Sequence, residues 1–179
     1  MTTFTLTVQD RGVHDALAAL AERVGNMEPH LKALGDDIIA RTQRRFDTST
    51  APDGAPWKPN SAATLGMLAG RLAGVKSNAR KNGGLNKRGR AQLANKKPLI
   101  DQGDLRRQFF REITGGNVLT VRNSQPYAAI QQFGGQAGRG HKVTIPARPF
   151  LPVRPDGTLY PQEQALVLDA LNAFLAEGL

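Results

Sequence analysis

The chain has 179 residues, no cysteine, three histidines and a formal net charge of +9. That length supports one domain with a core of its own. The absence of cysteine excludes disulfides and thiolate metal sites, and His14, His30 and His141 lie too far apart for ordinary zinc-ligand spacing.

The opening "MTTFTLTVQDRG" has no basic region followed by an apolar run, so it is not a secretory signal. No apolar run approaches the ~20 residues of a membrane span, and the chain reads as cytoplasmic at synthesis. "TFTLTVQ" alternates Phe4, Leu6 and Val8 with polar neighbours and predicts a half-buried strand. Asp10 is a plausible cap for the helix that follows. Val13, Leu17, Leu20 and Val24 fall on one face of that helix. After "GNMEP", a second helix carries Leu31, Leu34, Ile38, Thr42 and Phe46. Arg41, Arg44 and Arg45 lie in its last turns, where cations suit the helix dipole. "TSTAPDGAPWKPN" is turn chemistry, and Trp57, the only tryptophan, caps the core edge or meets a partner.

The character changes at residues 66–98. This stretch holds nine Lys or Arg and no Asp or Glu. The flanks are close to neutral, at −1 for residues 1–65 and +1 for 99–179. "GMLAGRLAG" has a weak helical period, whereas "KSNARKNGGLNKRGR" has no apolar face and is expected to be mobile in isolation. Two readings stand for it. One is a solvated surface insertion. The other is a phosphate-binding loop, or a segment that orders on assembly, with Arg80, Lys81, Lys87, Arg88, Arg90, Lys96 and Lys97 as contacts for DNA or an acidic partner.

"LIDQGDLRRQ" places Asp101 three residues before Asp104, the pattern of an N-cap with an acidic third position. Acid–base work or Mg²⁺ binding is the weaker reading of the same pair. "FFREITGGNVLTVRN" predicts two strands joined at Gly115-Gly116. "YAAIQQF" predicts a short helical turn with Tyr127, Ile130 and Phe133 on one face, stopped by Gly134-Gly135. "HKVTIPA" returns as a strand. From Pro161 to Leu179 a final helix is apolar round most of its surface and is expected to pack on the sheet and also to meet a neighbour. The sum is an α+β domain over residues 1–179. It has a small, mostly antiparallel sheet, an N-terminal helical pair, a C-terminal amphipathic helix and a basic flexible insertion at about 66–98.

The order of the pieces carries a resemblance. "APDGAPWKP", "LIDQGDLRRQF", "VLTVRNSQPYAAIQQFGG" and "IPARPFLPV", followed by an amphipathic helix, resemble the phage virion morphogenesis family, the tail-completion proteins of Mu-like and related contractile-tailed phages. The likeness covers roughly residues 10–178 apart from the basic insertion, and it is the ordered set that is specific. It implies an α+β fold and a structural place at the head–tail junction, in a ring of identical subunits in the virion neck. The implied neighbours are head-connector and tail-terminator or tail-tube proteins, with assembly in the host cytoplasm. It implies no enzymatic activity and offers no catalytic residues to carry over; no cofactor, metal or membrane partner is expected. Residues 66–98 depart from the pattern and receive no role from it.

A ring needs a repeated contact between identical subunits, and aromatic and arginine side chains anchor such contacts. Tyr127, Phe133, Arg148, Pro149 and Phe150 are the candidates. The glycine-rich loop 134–140 is free to order against a neighbour. The alternative is that Tyr127, Ile130, Phe133 and Phe150 are core and Arg148 is structural. The neck channel that the resemblance implies passes double-stranded DNA, so a lumen-facing insertion would attract phosphates without reading bases; the competing choice is an acidic surface on a neighbouring neck or tail protein. A protein whose main work is non-specific nucleic-acid binding through residues 70–97 is the rival function. Confinement of the charge to one segment counts against it. An enzyme has only Asp101, Asp104 and the scattered histidines in its favour.

Overall fold

The computed structural model describes residues 11–176, so the strand expected at Phe4–Val8 and the cap at Asp10 lie outside the described residues. Two helices open the fold, α1 (Arg11–Gly25) and α2 (Glu28–Thr48). Pro29 stands in the first turn of α2, where its missing N–H costs nothing. Ser49 closes the helix in the left-handed conformation, and its amide returns to the Arg45 carbonyl. The helix buries Leu31, Leu34, Gly35, Thr42, Arg45 and Phe46, the face read from its periodicity.

In residues 62–98 the helical period of "GMLAGRLAG" falls on a helix, whereas "KSNARKNGGLNKRGR" is built differently from its expectation. The stretch carries two helices, α3 (Ala62–Ala73) and α4 (Lys87–Ala94), which pack on each other. Side-chain caps define both starts. The Ser61 hydroxyl accepts the Thr64 amide, and the Asn86 carbonyl accepts the Gly89 amide. A one-turn helix, α5 (Asp104–Arg107), leads into the hairpin of β1 (Phe109–Thr114) and β2 (Val118–Asn123). Its register pairs Phe109 with Asn123 and Thr114 with Val118, and the turn uses positive φ at Gly115 and Gly116.

The short helix α6 (Ala128–Phe133) precedes a second antiparallel ribbon, β3 (Gly135–Ala137) with β4 (Val143–Ile145). The expected sheet is therefore divided into two separate two-stranded ribbons. β3 arises within the stretch read as a free glycine-rich loop. The last helix, α7 (Pro161–Ala176), lies mainly against α1 and α2 and not against the sheet. Leu166 and Leu168 remain exposed on it. Among the described residues, no helix is long and apolar enough to cross a membrane.

The core sits where α2, α5, β1 and the 146–153 segment converge. Phe46, Trp57, Phe109 and Phe150 form its centre, with Leu105 and Ala51 beside them. Phe46 meets Trp57 edge-on at 5.3 Å between centroids and Phe150 at 5.4 Å, and Phe109 meets Phe150 at 5.8 Å. These are favoured aromatic separations. The β1–β2 hairpin lies against α2 at Gly35. A Cβ there would come within 2.9 Å of both the Arg111 and Leu119 side chains.

Candidate assembly surface and the strut behind it

The segment "ARPFLPV" is a strut inside the fold. Four of its backbone hydrogen bonds come from one residue of α6. The Gln132 side chain, 2% exposed, accepts the amides of Phe150 (2.8 Å) and Leu151 (2.9 Å) and donates to the carbonyls of Leu151 (3.2 Å) and Val153 (3.0 Å). One primary amide thus serves four backbone groups of an irregular segment that has no ladder neighbour along most of its length.

Arg148 and Phe150 point inward from the same strut, which corrects their reading as partner anchors. Phe150 is 0% exposed within the aromatic cluster. Arg148 is buried, and its guanidinium donates to the carbonyls of Lys58 (2.7 Å) and Pro59 (2.8 Å). Burial pushes its pKa down from the ordinary arginine value. Pro149 contributes its carbonyl, which accepts the Trp57 indole N–H at 2.8 Å. These bonds tie the strut to the "WKPN" loop, so Trp57 belongs to the core edge.

The strut is held from the helical side as well. Arg45 of α2 donates to the Phe150 carbonyl at 2.7 Å and pairs with Glu163 of α7. Arg41 reaches the same carboxylate at 3.2 Å and also pairs with Asp37. Burial holds the Arg45 pKa below its usual value, opposed by the Glu163 carboxylate.

Tyr127 and Phe133 have the opposite environment. Tyr127 precedes α6 and Phe133 ends it, at 42% and 45% exposure, so the sequence-predicted aromatic set divides into an inner and an outer pair. Past Phe133 the chain turns sharply at Gly134 (φ 74°), where a Cβ would stand 2.8 Å from the Ala147 amide nitrogen. Only glycine fits both that dihedral and that approach. Beyond it the β3–β4 arm carries the exposed residues Gly138 to Thr144, including Arg139, His141, Lys142 and Val143.

The basic candidates also divide. Lys96 pairs with Asp101 at 2.8 Å, and Lys97 donates to the Asp47 carbonyl at 2.6 Å. Asp101 also takes Arg71 of α3 at 3.0 Å, so it is a staple for the insertion and not the helix cap expected of it. Gly103 occupies the cap position of α5 without a side-chain bond. Asp104 pairs with Arg107 at 3.0 Å. Each carboxylate of the "DQGD" motif therefore has its own cation, a structural arrangement. Arg80, Lys81, Lys87, Arg88 and Arg90 are exposed and form no ion pair among the described residues.

Hydrogen bonds from Arg71 and then Lys96 hold the Asp101 carboxyl down at about 2. Its folded pKa is thus below the unfolded value. Its contribution is full above about pH 4 and disappears as pH falls through about 2. Asp101 and Arg71 are exposed, so solvent screens the pair and the global effect is small. The local effect is the useful one. Asp101→Asn at neutral pH is expected to speed amide exchange in α3 and α4 while leaving β1–β2 protected. Unchanged exchange in both helices would show that Asp101 does not hold the insertion.

Residues 8–175 match the phage virion morphogenesis family. The chain belongs to that family. "Mu-like prophage FluMu G protein 2" of Haemophilus influenzae (strain ATCC 51907 / DSM 11121 / KW20 / Rd) is 43% identical to this chain over 77 residues. That alignment covers 43% of this chain and 51% of the relative, so the chain spans about half the length of the curated relative it matches. No solved structure matches the chain. In this virion morphogenesis protein, the short stretches that carried the resemblance coincide with the fold's fastenings: the Trp57 loop, Leu105 of α5, Gln132 and the strut. Sequence reading missed Gln132 and Glu163. The adjacent "QQ" in an otherwise apolar helical turn was the available signal for the first. Nothing near Glu163 marked the second.

Proposed function

We propose that the protein is a structural, non-enzymatic component of phage head–tail joining and works as a ring of identical subunits in the neck or tail of the virion. Head-connector and tail-terminator or tail-tube proteins are its neighbours in this reading. Membership of the virion morphogenesis family supports a place in particle assembly. The observation that carries the finer reading is the pairing of a rigid base with an uncovered contact surface. The strut and Gln132 hold α6 and the start of the arm in place. Tyr127, Phe133 and the arm residue Val143 remain exposed beside it. A short ribbon with free edges and neighbouring aromatics suits a repeated docking contact.

Inactivating the gene in its phage or prophage and imaging the induced lysate by negative-stain electron microscopy tests the junction reading. DNA-filled heads beside separate tails are expected, and normal infectious particles would refute it. For the subunit contact, Tyr127→Ala/Phe133→Ala is expected to keep the melting temperature near that of wild type while reducing assembly into particles. Unimpaired joining by that double variant would remove these two residues from the interface.

A further inference from the structure

Six cations of the insertion, Lys76, Arg80, Lys81, Lys87, Arg88 and Arg90, are exposed and unpaired by any carboxylate among the described residues. A solvated charged face needs no scaffold beneath it. This one has a scaffold made of asparagine. Asn78, 5% exposed, donates to the Gln92 side chain of α4 at 3.1 Å. Asn86 caps α4 and donates to the carbonyls of Ser77 (3.0 Å) and Ala79 (3.4 Å). The Asn86 amide returns to the Asn78 carbonyl at 2.8 Å. Gly89 makes the close approach possible, since a Cβ there would stand 2.7 Å from the Asn78 carbonyl oxygen. The turn that presents Arg80 and Lys81 is itself closed by the Gly83 amide on the Arg80 carbonyl at 3.2 Å and by the Arg80 amide on the Gly84 carbonyl at 3.0 Å.

The turn and α4 therefore form one braced unit. Lys87 and Arg90 are three residues apart on α4, so they are neighbours on its surface. Arg88 lines a shallow depression with Lys96 and Lys97, and Arg90 lines another with Lys96. Asp101 borders the first depression, but Arg71 and Lys96 already neutralise it.

We infer that this unit is a binding platform for the phosphate backbone of double-stranded DNA. The residue chemistry favours that partner over an acidic protein. No aromatic residue occurs between Trp57 and Phe109, so the platform lacks the rings that anchor protein contacts and those that stack single-stranded bases. Lysine, arginine and asparagine on braced backbone are sufficient for phosphates. Binding is independent of base sequence. The inference stands on the insertion alone and does not depend on the head–tail reading.

Fluorescence anisotropy with the full chain and a labelled random-sequence duplex is the test. Affinity is expected to fall about 10³-fold between 50 and 200 mM NaCl, as for about six neutralised phosphates. Arg80→Gln/Lys81→Gln/Arg88→Gln/Arg90→Gln is expected to lower the slope of log K against log salt by about 3 to 4, at about 0.9 for each phosphate no longer neutralised. The single variants Arg88→Gln and Arg90→Gln, each expected to lower it by about 1, serve if the quadruple variant fails to fold. Arg139→Gln/Lys142→Gln at the arm tip is expected to leave the slope unchanged. No binding at 50 mM NaCl, a slope unchanged by the platform variants, or a slope abolished by the arm variant would overturn the inference. So would polyglutamate displacing duplex more effectively than an equal charge of unlabelled DNA, an outcome that would assign the platform to an acidic protein.

Discussion

Truncating Phe150 to alanine is expected to cost about 3–5 kcal/mol of unfolding free energy, the usual range for a buried phenylalanine. The ring is fully enclosed and lies 5.4 Å from Phe46 and 5.8 Å from Phe109, centroid to centroid. Its neighbours are held from several directions. Arg45 fixes the Phe150 carbonyl and Gln132 fixes its amide, which limits collapse of the strut into the space left behind. A cavity that cannot close keeps its full cost. Urea denaturation of the purified chain measures the loss. Any assembly defect of Phe150→Ala then follows from unfolding. Tyr127→Ala and Phe133→Ala remove surface aromatics and are expected to stay within about 1 kcal/mol of wild type. A Phe150→Ala protein that is as stable as wild type and still fails to assemble would return Phe150 to the interface.

That division of one aromatic block marks the limit of reading the sequence. Elements with local causes were legible. The apolar period of α2 placed its buried face, Gly115-Gly116 placed the hairpin turn, and Gly134 placed the end of α6. The family resemblance was legible because its motifs are short stretches in fixed order, and the match over residues 8–175 bears it out. What escaped was decided at long range. The alternation that put Phe150 inward depends on which backbone groups Gln132 occupies, 18 residues away. Asp101 looks like a local cap, but its partner Arg71 lies 30 residues earlier. α4 has no apolar face to announce it, because its inner side is Gly89 against Asn78 and its start is an asparagine cap. β3 is three residues, Gly135–Ala137, with no β-prone side chain. Pairing with β4 makes it a strand.

Glu163 is the clearest case of such a residue, and its loss is the second large effect expected. It opens the first turn of a helix otherwise rich in leucine and alanine, yet it is 4% exposed. Its carboxylate sits between Arg45, 118 residues earlier, and Arg41. Removing one partner of a buried pair leaves the other charge without compensation, at about 3–5 kcal/mol. Glu163→Gln keeps the shape and removes the charge, so it isolates that term. Arg45 would then retain the Phe150 carbonyl and a neutral amide oxygen in place of the carboxylate, and Arg41 would retain Asp37 at the helix surface. Both the docking of α7 and the hold on the strut weaken together, because one guanidinium serves them both. Chemical denaturation of Glu163→Gln is therefore expected to show a loss close to that of Phe150→Ala, with faster amide exchange along α7. The double variant Arg45→Met/Glu163→Leu removes both charges and fills much of their volume. It is expected to recover most of the loss, since replacing a whole buried pair by apolar groups is often neutral or stabilising. If Glu163→Gln costs less than about 1 kcal/mol, the pair is a surface-like contact and α7 is held by its apolar side chains alone. If the double variant is as unstable as the single one, the guanidinium's bond to the Phe150 carbonyl, and not the charge pair, fastens the strut.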